Sequence, residues 1–124
     1  MNVVDSCAWL EYFADGPNAS FFAPAIEDQD RLLVPSITIF EVFKKVLQQR
    51  GEKEALEKAA MMAMGRVVDL DSTIALLAAK ISVETQMPLA DSVILATARA
   101  HRATVWTEDE HFKATPGVKY VSRI

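Results

Sequence analysis

The sequence predicts an α/β domain of three layers, in which helices cover both faces of a central, mostly parallel sheet of short strands. Three observations carry that expectation. Short β-branched runs alternate with longer stretches of helical period along the chain. A length of 124 residues with 51% hydrophobic composition fills one compact core. No internal repeat, low-complexity tract or linker divides the chain, so residues 1–124 are expected to form a single domain.

Taken in order, the first strand is expected over Asn2 to Val4, followed by a helix from Ser6 to Ala14 that Gly16-Pro17 closes. A second strand, Leu32 to Val34, leads into a helix from Ser36 to Arg50. Gly51 separates this helix from the next, Lys53 to Met64. Arg66 to Val68 reads as the third strand and Ser72 to Thr85 as a helix. Met87-Pro88 then marks the entry to a helix over Leu89 to His101. Strands over Thr104 to Trp106 and Val118 to Val121 complete the set, and no element is assigned between Pro17 and Leu32.

Charge and cysteine usage narrow the function. With 17 acidic against 13 basic residues, the chain has no broad basic face to hold a polyanion by counterion release, which disfavours a simple nucleic-acid binding module. A nuclease is still allowed, because carboxylates gathered around divalent cations present positive charge to a phosphate. Cys7 is the only cysteine, so an intrachain disulfide and a cysteine-based zinc site are excluded, and a reducing cytosol fits. The N-terminus lacks a basic segment before its apolar residues, and no uncharged apolar run is long enough to span a bilayer. A cytoplasmic protein is expected.

The most informative positions are single acids in otherwise uncharged sequence. Asp5, alone in the first ten residues, ends the first strand at the carboxyl edge of the sheet, where open α/β folds bind ligands. A helix N-cap is the competing explanation. Glu41 is the only charge from Leu32 to Phe43 and borders the core, where an unpartnered carboxylate calls for a cation or a shifted pKa. The competing reading is a surface glutamate paired with Lys44 or Lys45. Asp91, the only charge from Thr85 to Ala98, lies in a first helical turn, which the macrodipole alone could explain. A fourth acid comes from Thr107-Glu108-Asp109-Glu110-His111-Phe112, where composition does not choose among the three and a solvated loop is the plain alternative. A cap or a dipole explains one such acid, not three at segment starts that a parallel sheet brings to one edge.

Four carboxylates, with His101 and His111 the only histidines, point to hard cations such as Mg²⁺ or Mn²⁺ and to phosphoryl chemistry. No glycine-rich phosphate loop and no nucleophile elbow is present.

Val3-Val4-Asp5-Ser6, Val34-Pro35-Ser36 leading to Glu41, Leu89-Ala90-Asp91, and Thr107-x-Asp109-x-x-Phe112 occur in an order and spacing that resembles the PIN-domain family, in particular its VapC-type toxin nucleases. The match covers essentially the whole chain. The resemblance implies a PIN-like fold and an acidic pocket of Asp5, Glu41, Asp91 and Asp109. In it, Asp5 and Asp91 would bind Mg²⁺ or Mn²⁺ and Asp109 would be a third ligand. Glu41 would act through water or orient the nucleophile, and Ser6 and Thr107 would hydrogen-bond the carboxylates. It also selects Asp109 over Glu108 and Glu110. The implied activity is metal-dependent endoribonuclease cleavage of RNA by a homodimer that a cognate antitoxin silences, or housekeeping RNA processing by the same pocket.

Two other classes compete. A phosphorelay receiver would use Asp69 or Asp71, Thr107 and Lys119, but it needs paired acids after the first strand and one helix between successive strands. A non-catalytic binding module would normally have lost one of the four acids, and none is replaced. An apolar excess at Phe21-Phe22-Ala23, Phe40, Phe43 and Met61-Met62-Ala63-Met64 is expected to serve mainly the core, with an interface as its other use.

Overall fold

A computed structural model describes residues 1–124. Five strands, β1 (Asn2–Val4), β2 (Leu32–Pro35), β3 (Arg66–Val68), β4 (Thr104–Thr107) and β5 (Val118–Tyr120), form one sheet in the order β3-β2-β1-β4-β5. Every neighbouring pair is parallel. Six α-helices surround the sheet: α1 (Ser6–Phe13), α2 (Ala19–Glu27), α3 (Ser36–Arg50), α4 (Glu52–Met62), α5 (Ser72–Thr85) and α6 (Leu89–Ala100). Short 3-10 turns lie at Gln29–Arg31 and Glu110–Phe112. The expected α/β/α architecture and each assigned element are present, with ends shifted by two residues at most.

Strand pleating explains the layers. Side chains alternate across a strand, so Val3, Leu33 and Val105 enter one core with Ile74, Ala78 and Ile81 of α5 and Ile94 of α6. Val4, Leu32, Val34 and Trp106 enter the other, against Ala8 and Trp9 of α1, Phe22 of α2, Val42 of α3 and Met62 of α4. Because both faces are covered, these strands read as unbroken apolar runs. Helix α6 is enclosed along most of its length, with every residue from Asp91 to Ala98 buried.

Helix α2 occupies the segment to which periodicity assigned nothing. Ala19, Phe22, Ala25 and Ile26 form its buried stripe even though Pro24 lies inside it. Of the apolar residues weighed above, Phe22 and Met62 are fully buried, while Phe40, Met61 and Met64 are exposed. The core expectation therefore holds for only part of that set. Gly65, between α4 and β3, permits a close approach: a Cβ there would stand 2.9 Å from Val34 Cγ2 and 3.0 Å from the Leu32 carbonyl oxygen.

The strand order also removes the receiver-like reading, whose sheet runs 2-1-3-4-5. Asp71 instead caps α5 by accepting from the Ile74 N–H at 2.9 Å, and Lys119 lies 4.4 Å over the Trp106 ring. Strand order switches at β1: β2 and β3 build outward on one side, and the crossover through α5 and α6 returns to place β4 on the other. A crevice beyond the carboxyl ends of β1 and β4 is where such folds bind ligands. No helix is long and apolar enough to cross a membrane.

Candidate active site

Asp5 follows β1 directly and is both cap and buried acid. Its Oδ1 accepts from the Ser6 N–H at 2.7 Å, which starts α1, and its side chain is almost wholly enclosed. Its Oδ2 accepts from the Thr107 hydroxyl at 2.7 Å and from the Cys7 thiol at 3.2 Å. The N-cap and the buried acid are thus the same carboxylate. Burial pushes its pKa up from 3.8 to about 6, and the charge of Asp91 adds to the rise.

Glu41, in the second turn of α3, is half-buried and accepts from the Ser6 hydroxyl at 2.6 Å. Ser6 therefore ties two of the acids together, through its N–H to Asp5 and its hydroxyl to Glu41. No ion pair with Lys44 or Lys45 forms.

Asp91 is buried because it begins the enclosed stretch of α6. Its pKa is raised by burial, then by Asp109 and more weakly by Glu41, while hydrogen bonding to His111 acts against the rise. The charges of these acids are close enough to feel one another.

In the loop after β4 the three neighbouring acids take different positions. Asp109 caps the turn Glu110–Phe112: its Oδ1 accepts from the His111 N–H at 2.9 Å, and its own N–H donates to Thr107 Oγ1 at 2.9 Å. Thr107 thereby spans Asp5 and Asp109. Phe112, fully buried in the core that α5 and α6 cover, anchors the turn. Glu108 turns away to accept from Asn18 Nδ2 at 3.1 Å, with Arg123 Nε 3.4 Å from its other oxygen, and Glu110 is exposed. Only Asp109 of the three faces Asp91.

Three participants carried no signal that singled them out. His111 places Nδ1 2.7 Å from Asp91 Oδ2 and 3.2 Å from Asp109 Oδ1. Its pKa is raised, first by the hydrogen bond to Asp91 and then by the Asp109 charge. Cys7 has its thiol pushed up to about 12 by burial and then by Asp5, so it stays protonated and serves Asp5 as a donor. Asn18 also donates to the Ser122 carbonyl at 3.0 Å, holding the C-terminal segment against the loop.

The donor set fits a divalent cation. Asp91, Asp109 and His111 each offer a ligand atom, all within 4.8 Å of one another. No lysine or arginine forms an ion pair with Asp5, Glu41, Asp91 or Asp109. Two buried acids, Asp5 and Asp91, with raised pKa values and with His111 as the one cationic side chain paired to the cluster, form an environment that a dication relieves. Asp5 lies outside the closest donor triad, its oxygens being engaged by Ser6, Thr107 and Cys7, so it borders the triad rather than completing it.

The profile of the PIN domain family matches residues 3–118. Among solved structures, a toxin–antitoxin complex from Klebsiella pneumoniae superposes with a TM-score of 0.80 at 22% identity, covering 96% of each chain. The Mycobacterium tuberculosis VapC20 toxin, described as cleaving the sarcin–ricin loop, gives 0.77 at 16% identity over 95% of this chain and 97% of its own. VapBC2 of Rickettsia felis, bound to a DNA fragment from its promoter, gives 0.74 at 13% identity over 98% and 97%. At these identities the likeness demonstrates a shared fold. No curated protein sequence matches significantly.

Proposed function

The chain belongs to the PIN domain family, and from that premise we propose that it is a metal-dependent endoribonuclease serving as the toxin of a toxin–antitoxin pair. The observation that carries the reading is the convergence of Asp5, Glu41, Asp91 and Asp109, from four separate segments, on the crevice at the carboxyl ends of β1 and β4.

Asp91 and Asp109 would hold the cation, with Asp5 beside them. A bound Mg²⁺ or Mn²⁺ would lower the pKa of a water and offset charge developing on the phosphate. Asp5 is held in place by Ser6 and Thr107, so its carboxylate needs no reorganisation on binding. Glu41 keeps one oxygen on Ser6, leaving the other to accept a proton from an attacking water. Sheet and helix ends, rather than mobile side chains, set these positions.

Cytoplasmic RNA is the substrate class in this reading, and a net charge of −4 makes attraction of its backbone depend on the bound cation. Solved neighbours described as toxin–antitoxin or VapBC assemblies support an antitoxin partner. A homodimer would cover apolar surface, and Leu76, Val83 and Leu89 on α5 and α6 are each at least 75% exposed.

The test is cleavage of a mixed set of structured RNAs with Mg²⁺, with Mn²⁺ and with chelator, beside Asp91→Asn. Metal-dependent cutting lost in the variant is the expected result. Equal cutting by the folded variant, or cutting undiminished by chelator, would overturn the reading.

A further inference from the structure

Resting on the metal-dependent reading above, we propose that His111 is a ligand of the divalent cation, and that its imidazole makes the site select a first-row transition ion such as Mn²⁺ over Mg²⁺. A pocket of Asp5, Glu41, Asp91 and Asp109 offers oxygen donors alone. The structure adds a nitrogen.

The distances suit a shared ion. In an octahedral site with bonds near 2.1 Å, adjacent donors are roughly 3.0 Å apart and opposite ones roughly 4.2 Å. His111 Nδ1 stands 2.7 Å from Asp91 Oδ2 and 3.2 Å from Asp109 Oδ1, values on either side of the adjacent-donor separation. The whole triad falls within 4.8 Å. A simple ion pair accounts for less. One Nδ1–H donates fully to one oxygen, whereas this nitrogen meets two carboxylates, with Asp5 and Glu41 behind them. A single imidazolium leaves most of that negative charge unopposed, and a dication bound by neutral imidazole opposes more of it.

The nitrogen is also placed by rigid parts of the fold. Asp91 rides on the enclosed helix α6. Buried Phe112 and the Asp109 cap on the His111 N–H fix the turn that carries the ring. The His111 side chain is 56% exposed and, with Asp109, borders a groove of about 330 Å³ shared with Tyr120 and Arg123, so the ring edge of the triad is open to solvent. Mg²⁺ favours oxygen donors and retains its waters, whereas imidazole adds affinity that rises from Mn²⁺ towards Co²⁺.

The experiment is Mn²⁺ titration of the full chain followed by pulsed EPR, with Mg²⁺ and Co²⁺ affinities measured by calorimetry, for the native protein, His111→Asn and His101→Asn. His101 is the control because it lies past the far end of α6, with Nδ1 3.0 Å from the Thr97 carbonyl oxygen. Nitrogen coupling to Mn²⁺ is expected in the native protein and in His101→Asn, and its loss in His111→Asn. Mn²⁺ affinity should fall by at least the roughly 10- to 100-fold seen when outer-shell partners of a metal are removed. The fall should be larger for Co²⁺ and slight for Mg²⁺. Mn²⁺ binding without nitrogen coupling, or an equal fall for Mg²⁺ and Mn²⁺, overturns the role of His111 and leaves the metal-dependent reading standing. Absence of Mn²⁺ binding by the folded native protein overturns both.

Discussion

Replacing Asp5 by Asn should stabilise the metal-free protein above about pH 6 while leaving its stability near pH 4 almost unchanged. The carboxylate is 3% exposed, and burial moves its pKa from 3.8 to about 6. Between those values the folded protein holds a proton that the unfolded chain has released, so stability is fully present below 3.8 and is lost as pH rises through about 6. The shift corresponds to roughly 3 kcal/mol at neutral pH and above. Asparagine keeps the cap, because its carbonyl oxygen can still accept from the Ser6 N–H. It loses an acceptor for the Thr107 hydroxyl, at a cost of about 1 kcal/mol. A net gain of about 2 kcal/mol remains, which for a domain of this size raises the melting temperature by on the order of 5–10 °C. The assay is thermal unfolding of both proteins in chelator from about pH 4 to about pH 8, with the difference opening through the window set by the two pKa values. Saturating Mn²⁺ should then favour the native protein. A gap of the same size at both ends of the pH range, or no gain at the upper end, would falsify the claim that burial penalises the Asp5 charge.

Other substitutions probe the supports of the site. Thr107→Val removes the hydroxyl that spans Asp5 and Asp109, and should weaken Mn²⁺ binding by roughly tenfold in calorimetry; unchanged affinity would show that the acids hold their own positions. Phe112→Ala empties a fully buried site and should cost about 3–5 kcal/mol in urea unfolding. The same variant should speed amide exchange at Asp109 and His111, and protection equal to that of the native protein would show that the turn does not depend on this anchor. Gly65→Ala presses a methyl against Val34 and the Leu32 carbonyl, so its denaturant midpoint should fall by an amount equivalent to about 1–3 kcal/mol. An unaltered midpoint would mean that the turn before β3 shifts freely.

Helix α2 shows why one element escaped notice. Pro17 and Pro24 read as breakers, and in Ala19-Ser20-Phe21-Phe22-Ala23-Pro24-Ala25-Ile26 apolar residues fall on nearly every side, so no stripe stands out. The helix forms because packing Phe22 and Ile26 against Trp9, Val4 and Trp106 outweighs the hydrogen bond that Pro24 removes. The loop after β4 poses the opposite difficulty. Glu108, Asp109 and Glu110 are chemically alike, and which one faces Asp91 follows from the Asn18 and Arg123 contacts that draw Glu108 away.

From the sequence alone come the layers, the strands, most of the helices and three isolated acids. Burial on both sheet faces demands unbroken apolar runs, and a lone carboxylate within such a run is visible without knowing what surrounds it. Only the tertiary structure decided that β4 lies beside β1, that Ser6 joins Asp5 to Glu41, and that His111 meets Asp91 across 20 positions of chain. Periodicity reports the local environment of a segment, whereas strand order and the meeting of side chains from separate loops depend on packing over the whole domain. A single imidazole in an acidic loop therefore acquires its meaning only after the chain has folded.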